Sequence, residues 1–420
     1  MILELIEKYF EFFGFSVITG IQISLFLVLI DSTRTIIKII FILLGKLREI
    51  LNPLPELKHL PSVSIIVPAH NEESKIEECI ISLIEANYPK DKKEIILIDD
   101  GSTDKTYPRS LPYARKGLIK LFKRETKSGS KSGAINYGLL IAKNELIIVV
   151  DADTKLEINS LVEIVRPFAD KNVMAVAGNI KIENRNNILS YCQAYEYTMS
   201  MEIGKRIQSL FRTILIVPGA FGAFRMKFVK TVGDYDYDTI TEDFDLTFKV
   251  LKRAKVLFAP SAIAWTICPD KLDTWYRQRV RWSRGELETL WKHRDLFFRK
   301  HYGFLGLIAA PDMVLMDMIL LTLRFVNLLV VLIVMPILFT FEVYMEYLIF
   351  YFRVLLMLFC SYMIFEIISL FAALLVVKER KDLYYFLISP IIIVFYRPFY
   401  ALVRFKGYLD VILRRDPVWR

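Results

Sequence analysis

The sequence predicts an α/β domain built on a mostly parallel sheet, flanked by transmembrane and interfacial α-helices. Three observations predict it. Short apolar runs at Val63–Val67, Glu94–Ile98, Leu146–Val150 and Val173–Ala177 alternate with helix-length segments, as in parallel sheets covered on both faces. Polar signatures follow three of those runs directly, where ligands bind in such sheets. Most of the chain outside residues 56–300 is Leu, Ile, Val and Phe.

In chain order, residues 1–55 hold an expected transmembrane helix at Phe10–Ile30. Only Glu11 is charged in that stretch, which is long enough to cross a bilayer. No basic segment precedes it and no small-residue cleavage site follows, so it reads as an anchor rather than a leader. The shorter apolar run at 35–51 contains Lys38 and reads as a surface helix. Residues 56–300 form the globular part. Its first crossover is a helix at Glu73–Glu85, with Ile76, Ile80 and Leu83 on one face. Residues 301–420 hold expected spans at 314–340, 352–377 and 384–403. The last contains Pro390, Arg397 and Pro398 and fits a re-entrant or interfacial helix equally well.

Charge placement gives an orientation. Arg34, Lys38, Lys46 and Arg48 follow the first span and acids precede it; Lys378–Asp382 is basic, while Phe341–Tyr347 has no Lys or Arg. The positive-inside rule then places residues 56–300 in the cytoplasm, in a multi-pass protein of the cell membrane. The chain of 420 residues is 54% hydrophobic, too apolar for an ordinary soluble protein. Its net charge of +9 lies largely beside the spans, where anionic headgroups attract it, so nucleic acid is not the expected partner. Cys79, Cys192, Cys268 and Cys360 have no paired spacing and read as free thiols. No G-x-G-x-x-G or G-x-x-x-x-G-K-[ST] follows the first strand, which argues against dinucleotide and P-loop chemistry.

Asp151-Ala-Asp153 directly follows a wholly apolar strand. Alternate carboxylates at a strand end can converge on Mg²⁺ or Mn²⁺ bridging a diphosphate, although Asp also simply ends strands. Asp99 and Asp100 end the second strand and can accept hydrogen bonds from a base and a ribose; Asp-Gly is also a common turn. Gly129–Asn136 is a small-residue loop whose backbone can approach phosphate, with Lys131 as a point charge. Glu242 and Asp243 open a helical pattern, where acids complement the helix dipole; Asp243 can also act as general base toward an acceptor hydroxyl. Gln278, Arg281 and Trp282 share a helix face that could hold a leaving diphosphate and stack a sugar ring, and the same basic-aromatic mix describes a membrane-surface helix.

In this order the motifs resemble those of membrane-embedded family-2 glycosyltransferases with a GT-A fold, the group that contains poly-N-acetylglucosamine, cellulose, chitin and hyaluronan synthases. The resemblance covers roughly residues 60–300. It implies donor contacts from Pro68, His70, Glu72, Asp99, Asp100, Lys131, Asp151, Gln278 and Arg281. It makes Asp153 the direct metal ligand beside Asp151, and Asp243 the catalytic base. Val217–Arg225 resembles the acceptor segment, placing Gly219 and Ala220, with Glu242 and Trp282, toward the acceptor. Gln278, Arg281 and Trp282 match the Q-x-x-R-W signature of processive members.

Two departures accompany it. Pro218 stands where relatives usually have another residue, and no C-terminal regulatory extension is expected. The expected function is inverting, metal-dependent transfer from a UDP-sugar to a growing glycan, with processive synthesis of a β-linked polysaccharide. The modest number of spans leaves room for a partner export subunit. It also keeps open transfer of one sugar to a lipid carrier or glycolipid. A catalytically silent membrane scaffold is the reading from another class.

Overall fold

The computed structural model describes residues 2–51, 57, 59–326, 345–376 and 384–414. The chain divides into two compact units. One gathers residues 1–43 and 312–405, the other residues 44–311 with the stretch from Lys406 onward.

The second unit is organised around an eight-stranded sheet. Its strands are β1 (Val63–Ala69), β2 (Lys93–Asp100), β3 (Lys120–Arg124), β4 (Leu146–Val150), β5 (Lys155–Leu156), β6 (Val173–Ile182), β7 (Phe221–Arg225) and β8 (Lys255–Thr266), in the spatial order β3-β2-β1-β4-β7-β6-β8-β5. All four apolar runs read from the sequence are strands of this sheet. Every residue of β1 and β4 is buried, as expected where helices cover both faces.

β3, β2, β1 and β4 run parallel, and β6 is parallel to β8. The mostly parallel sheet therefore stands, with β7 inserted antiparallel between β4 and β6. That insertion decides where the site forms. Phe221 pairs with Val150, so the segment entering β7 lies beside the segment leaving β4. Pro68 is tolerated in β1 because pairing with β4 ends at Ile66, and no ladder N–H is needed beyond it on that side. At Gly178 of β6, an added Cβ would lie 2.2 Å from Cδ1 of Phe221, so only glycine lets that ring pack at the start of β7.

The first crossover helix is Ile76–Glu85, burying Ile76, Cys79, Ile80 and Leu83. It starts later than the expected Glu73 because the intervening backbone is used elsewhere. The Glu73 amide donates to Asp104, and the Lys75 and Ile76 amides both donate to the Glu72 carbonyl. All four cysteines are free thiols.

In the N-terminal region a single helix spans Ile2–Leu51, with no break between the expected span and the expected surface helix. No proline interrupts it, and its charged side chains are long-stemmed or isolated, which helices tolerate. Side chains of residues 2–21 are not among those described. Three described helices are long and apolar enough to cross a membrane: Leu305–Val326, Phe352–Leu374 and Tyr385–Ile412. They overlap the expected spans, although residues 327–340 of the first expected span lie outside the described residues. So do Lys378–Asp382 and most of Phe341–Tyr347, which carry the orientation argument. Within the unit of residues 1–43 and 312–405 three ion pairs form: Arg34 with Asp312, Arg324 with Asp31, and Arg397 with Glu366 at 2.6 Å. Such pairing lowers the cost of placing charge on apolar helices.

Candidate active site

The carboxyl ends of β2, β1 and β4 are neighbours in the sheet, and each releases its polar signature at the same edge. His70 follows β1 and its Nδ1 lies 2.9 Å from the Asp100 carbonyl. Asn71, in the left-handed region at φ 58°, receives the Thr103 amide at 2.9 Å and donates its own to Ser102. These bonds tie the β1 and β2 exits together.

Asp99 and Asp100 are both buried. Asp99 accepts the Ser102 amide, and its other carboxylate oxygen has no hydrogen-bond partner among the described residues. Asp100 accepts the amide and hydroxyl of Ser128 and lies 3.5 Å from Arg124. Its carboxylate is thus engaged in shaping the loop before helix Lys131–Ile141, a task the sequence did not reveal. Ser130 caps that helix by accepting the Gly133 amide.

Lys131, at the helix start, forms an ion pair with Asp151 and lies 3.7 Å from Glu242. Burial works against its charge, but Asp151 and Glu242 more than offset this and hold it above its ordinary value. Asp151 also donates its amide to the Ala220 carbonyl at 3.4 Å, across the junction that antiparallel β7 creates. Asp153 accepts the Thr154 hydroxyl at 3.3 Å, and burial together with the Asp151 charge raises its carboxyl to about 6. Burial, followed by the charges of Asp153 and Asp151, raises Glu72 to about 7. Four carboxylates, Asp151, Asp153, Glu72 and Glu242, therefore surround one ammonium.

Such an excess of hard oxygen donors suits a divalent cation such as Mg²⁺ or Mn²⁺. Among the described residues no three His, Cys, Asp or Glu side chains are gathered at metal-holding distance.

Glu242 and Asp243 occupy the first turn of helix Glu242–Leu251. Asp243 accepts the Gly219 amide on Oδ2 at 3.0 Å and the Phe244 amide on Oδ1 at 2.8 Å. An added Cβ on Gly219 would lie 2.8 Å from Lys131 Nζ and 3.5 Å from Asp243 Oδ2, so glycine lets the strap before β7 pass between them. Lys131, Asp151, Gly219, Ala220, Glu242 and Asp243 therefore share one cluster, although they come from four separate stretches of chain.

Gln278, Arg281 and Trp282 lie on helix Leu272–Lys292, as their spacing predicts. Arg281 is exposed and Gln278 half-buried. The buried cation of this helix is Arg279, which pairs with Glu196 at 2.8 Å and lies 4.5 Å from the ring of Trp282. Sequence reasoning passed over Arg279. Its signal is the i, i+4 spacing from Trp275, which presents both to the same buried face. Tyr197, on helix Ile188–Met199, lies within electrostatic reach of both Arg279 and Asp153. Burial pushes its phenol well above its ordinary value, and both Arg279 and Asp153 act on it.

The fold and these clustered acids define a nucleotide-sugar transferase class of site. Residues 64–233 match the family model for glycosyl transferase family 2, so the chain carries a family-2 glycosyltransferase domain. That match ends before Asp243 and before helix Leu272–Lys292. The chain is 31% identical to a poly-beta-1,6-N-acetyl-D-glucosamine synthase of Staphylococcus epidermidis over 56% of its length and 57% of the relative's. It is also 31% identical to the enzyme of that name from Staphylococcus aureus, over 62% of its length and 63% of the relative's. The aligned stretch thus spans about three fifths of these relatives. Among solved structures, it resembles a mannosyltransferase from Pyrobaculum calidifontis, determined in complex with GDP-Man and Mn²⁺. That likeness has a TM-score of 0.62 at 16% identity and covers 94% of this chain and all of the other. At that identity it shows the shared GT-A fold.

Proposed function

We propose that this chain transfers a sugar from a UDP-sugar to a glycan hydroxyl, with inversion, at the cytoplasmic face of the cell membrane. One observation carries the reading: Gly219 joins the Asp243 carboxylate to the Lys131–Asp151 pair within a single cluster. A base for the acceptor and a cation for the diphosphate are thereby neighbours.

Asp243 takes the proton of the acceptor hydroxyl. Each of its oxygens accepts one backbone amide, which fixes the carboxylate and leaves a lone pair on each for substrate. Direct displacement needs one base and no covalent nucleophile. Lys131 offsets charge on the diphosphate, and Asp99, with an oxygen that has no partner among the described residues, receives a donor N–H or hydroxyl of the nucleotide. Asp151 and Asp153 would hold Mg²⁺ or Mn²⁺, which supplies charge neutralisation of the leaving diphosphate. Pro68, His70 and Glu72 line the donor side. Ala220, Glu242 and Trp282 are assigned to the acceptor, and Gln278 and Arg281 to the diphosphate, on the motif resemblance.

The relatives' printed activity supports N-acetylglucosamine as donor sugar and a processive, β-linked product. Transfer of a single sugar to a lipid-linked acceptor is the second reading. Purified protein in detergent is tested with radiolabelled UDP-N-acetylglucosamine and Mn²⁺ or Mg²⁺. A ladder of long chains supports polymer synthesis, and one added sugar supports the second reading. If neither this nor any other nucleotide sugar is consumed, transfer itself is refuted and the scaffold reading stands.

A further inference from the structure

A buried lysine outside every motif above lies behind the strap that carries Gly219. Helix Ile188–Met199 continues through a π-helical stretch, Ser200–Lys205, into Arg206–Leu210. Such wide turns rotate the following side chain away from the register of an α-helix and recur at functional sites. Here Lys205 closes the π-helical stretch and is only 7% exposed. Its Nζ donates to the Ile216 carbonyl at 2.5 Å. Among the described residues that carbonyl is its one acceptor, although an ammonium has three donors. Its neighbours on the same stretch are already committed. Glu202 is paired with Arg206 at 2.8 Å and accepts from Asn179.

Ile216 begins the strap leading to Gly219. The next residue, Val217, donates its amide to the Thr247 hydroxyl at 2.9 Å, and that hydroxyl donates to the Asp243 carbonyl at 2.6 Å. Two residues further on, Gly219 donates to the Asp243 carboxylate. The strap is therefore tethered at three points: to Lys205, to Thr247 and to Asp243 itself. Burial holds the ammonium down to about 8, opposed by the charge of Asp243, so the two groups sense each other. Glu242, Lys131 and Tyr235 also act on or respond to Asp243. None of these replaces the anchor at Ile216.

We propose that Lys205 is a positioning residue for the transfer reaction, anchoring the Ile216–Ala220 strap so that the Gly219 amide aims the Asp243 carboxylate at the acceptor hydroxyl. A buried ammonium is a costly choice where a neutral donor would do. Its strong, charge-assisted bond to one carbonyl gives a stiffer anchor than an amide or hydroxyl. Small displacements of a reacting group reduce rates steeply, which is the reason to invest in stiffness at this point. The role rests on the assignment of Asp243 as base.

The test compares wild type with Lys205→Met, Lys205→Arg and Thr247→Val in the full-length protein in detergent. It measures kcat, donor KM, binding of the UDP-sugar by calorimetry, and Tm. Lys205→Met is expected to lower kcat about 10- to 100-fold with donor KM and donor binding within about twofold. Lys205→Arg is expected to recover part of the loss. Thr247→Val releases the second tether and is expected to give the same kcat signature. Combined with Lys205→Met it should be less than additive, because both act through one strap. Unchanged kcat in Lys205→Met, equal losses of kcat and donor binding, or strict additivity with Thr247→Val each overturn the proposal. Should Lys205→Met fail to fold, the kcat and binding of Lys205→Arg and Thr247→Val decide by the same criteria. A wild-type chain that turns over no nucleotide sugar refutes glycosyl transfer and this role with it. An active wild type beside an unaltered Lys205→Met refutes only the role.

Discussion

The Gly219 amide donates to the Asp243 carboxylate at 3.0 Å, across 24 positions of chain. The bond exists because β7 runs antiparallel to β4, which returns the strap before it to the edge where the parallel strands end. Asp243 is thereby held facing the Lys131–Asp151 pair rather than free at a helix start.

Replacing Asp243 by Asn keeps the shape and removes the base, while the single side-chain oxygen can accept only one of the two backbone amides. Transfer is expected to fall by about 10²–10⁴-fold. Binding of the nucleotide sugar, measured calorimetrically, should stay within a few-fold of wild type. Loss of donor binding in this variant would contradict the role assigned to Asp243.

Chelation should remove activity, and Mn²⁺ or Mg²⁺ should restore it. Asp153→Asn is expected to raise the metal concentration needed for half-maximal turnover by at least about tenfold, since one of two hard ligands is lost. A metal titration of turnover checks this. Activity unaffected by chelator would count against a metal at the Asp151–Asp153 pair.

Two arginines of one helix should part company. Arg279 is buried against Trp282 and paired with half-buried Glu196, so Arg279→Ala empties a packed site and removes that acid's cation, and should destabilise the fold by about 2–4 kcal/mol. Arg281 is exposed, and Arg281→Ala should leave Tm within a degree or two while lowering transfer. Tm and kcat measured on both variants test the division.

Asp245 is fully buried on helix Glu242–Leu251 and accepts from His293 at 2.8 Å, with Lys292 at 3.1 Å and Lys249 at 3.7 Å. Burial alone would raise its carboxyl, but the His293 hydrogen bond and the Lys292 charge outweigh it and lower the value to about 2. A depressed carboxyl stabilises the fold above its unfolded value near 4, and the contribution fades as pH falls toward 2. About 2 kcal/mol should be lost across that window. Asp245→Asn should lower Tm at neutral pH and flatten its decline in acid. A wild-type Tm unchanged between pH 5 and 3 would rule this out.

Gly178→Ala is expected to cost about 1–3 kcal/mol, because the new methyl meets the Phe221 ring in a packed core. Thermal unfolding of the variant measures it.

The sequence by itself determined the strands that build the sheet. Fully apolar runs such as Leu146–Val150 have few other places to go, and the acids that follow them fall at strand ends by chain continuity alone. It also located Lys131, Asp151, Asp153, Asp243 and the Gln278–Trp282 helix, since local spacing is what those motifs consist of. The first crossover was legible in its buried face but not in its start. Residues 73–75 answer to Asp104 and Glu72 rather than to their own helical pattern. The continuity of helix Ile2–Leu51 was missed for a related reason: a change in polarity along a chain is not a break in its hydrogen bonds.

Only the tertiary structure decided which of these residues meet. β7 enters antiparallel between two parallel blocks, and no periodicity announces such an insertion because pairing direction is a property of two strands, not one. From it follow the contact of Ala220 with Asp151, the passage of Gly219 between Lys131 and Asp243, and the buried anchor at Lys205. It was likewise the packed core, not the motif, that buried Arg279 and left Arg281 at the surface. Motif spacing records which residues share a helix face, whereas burial depends on what arrives from elsewhere to cover that face.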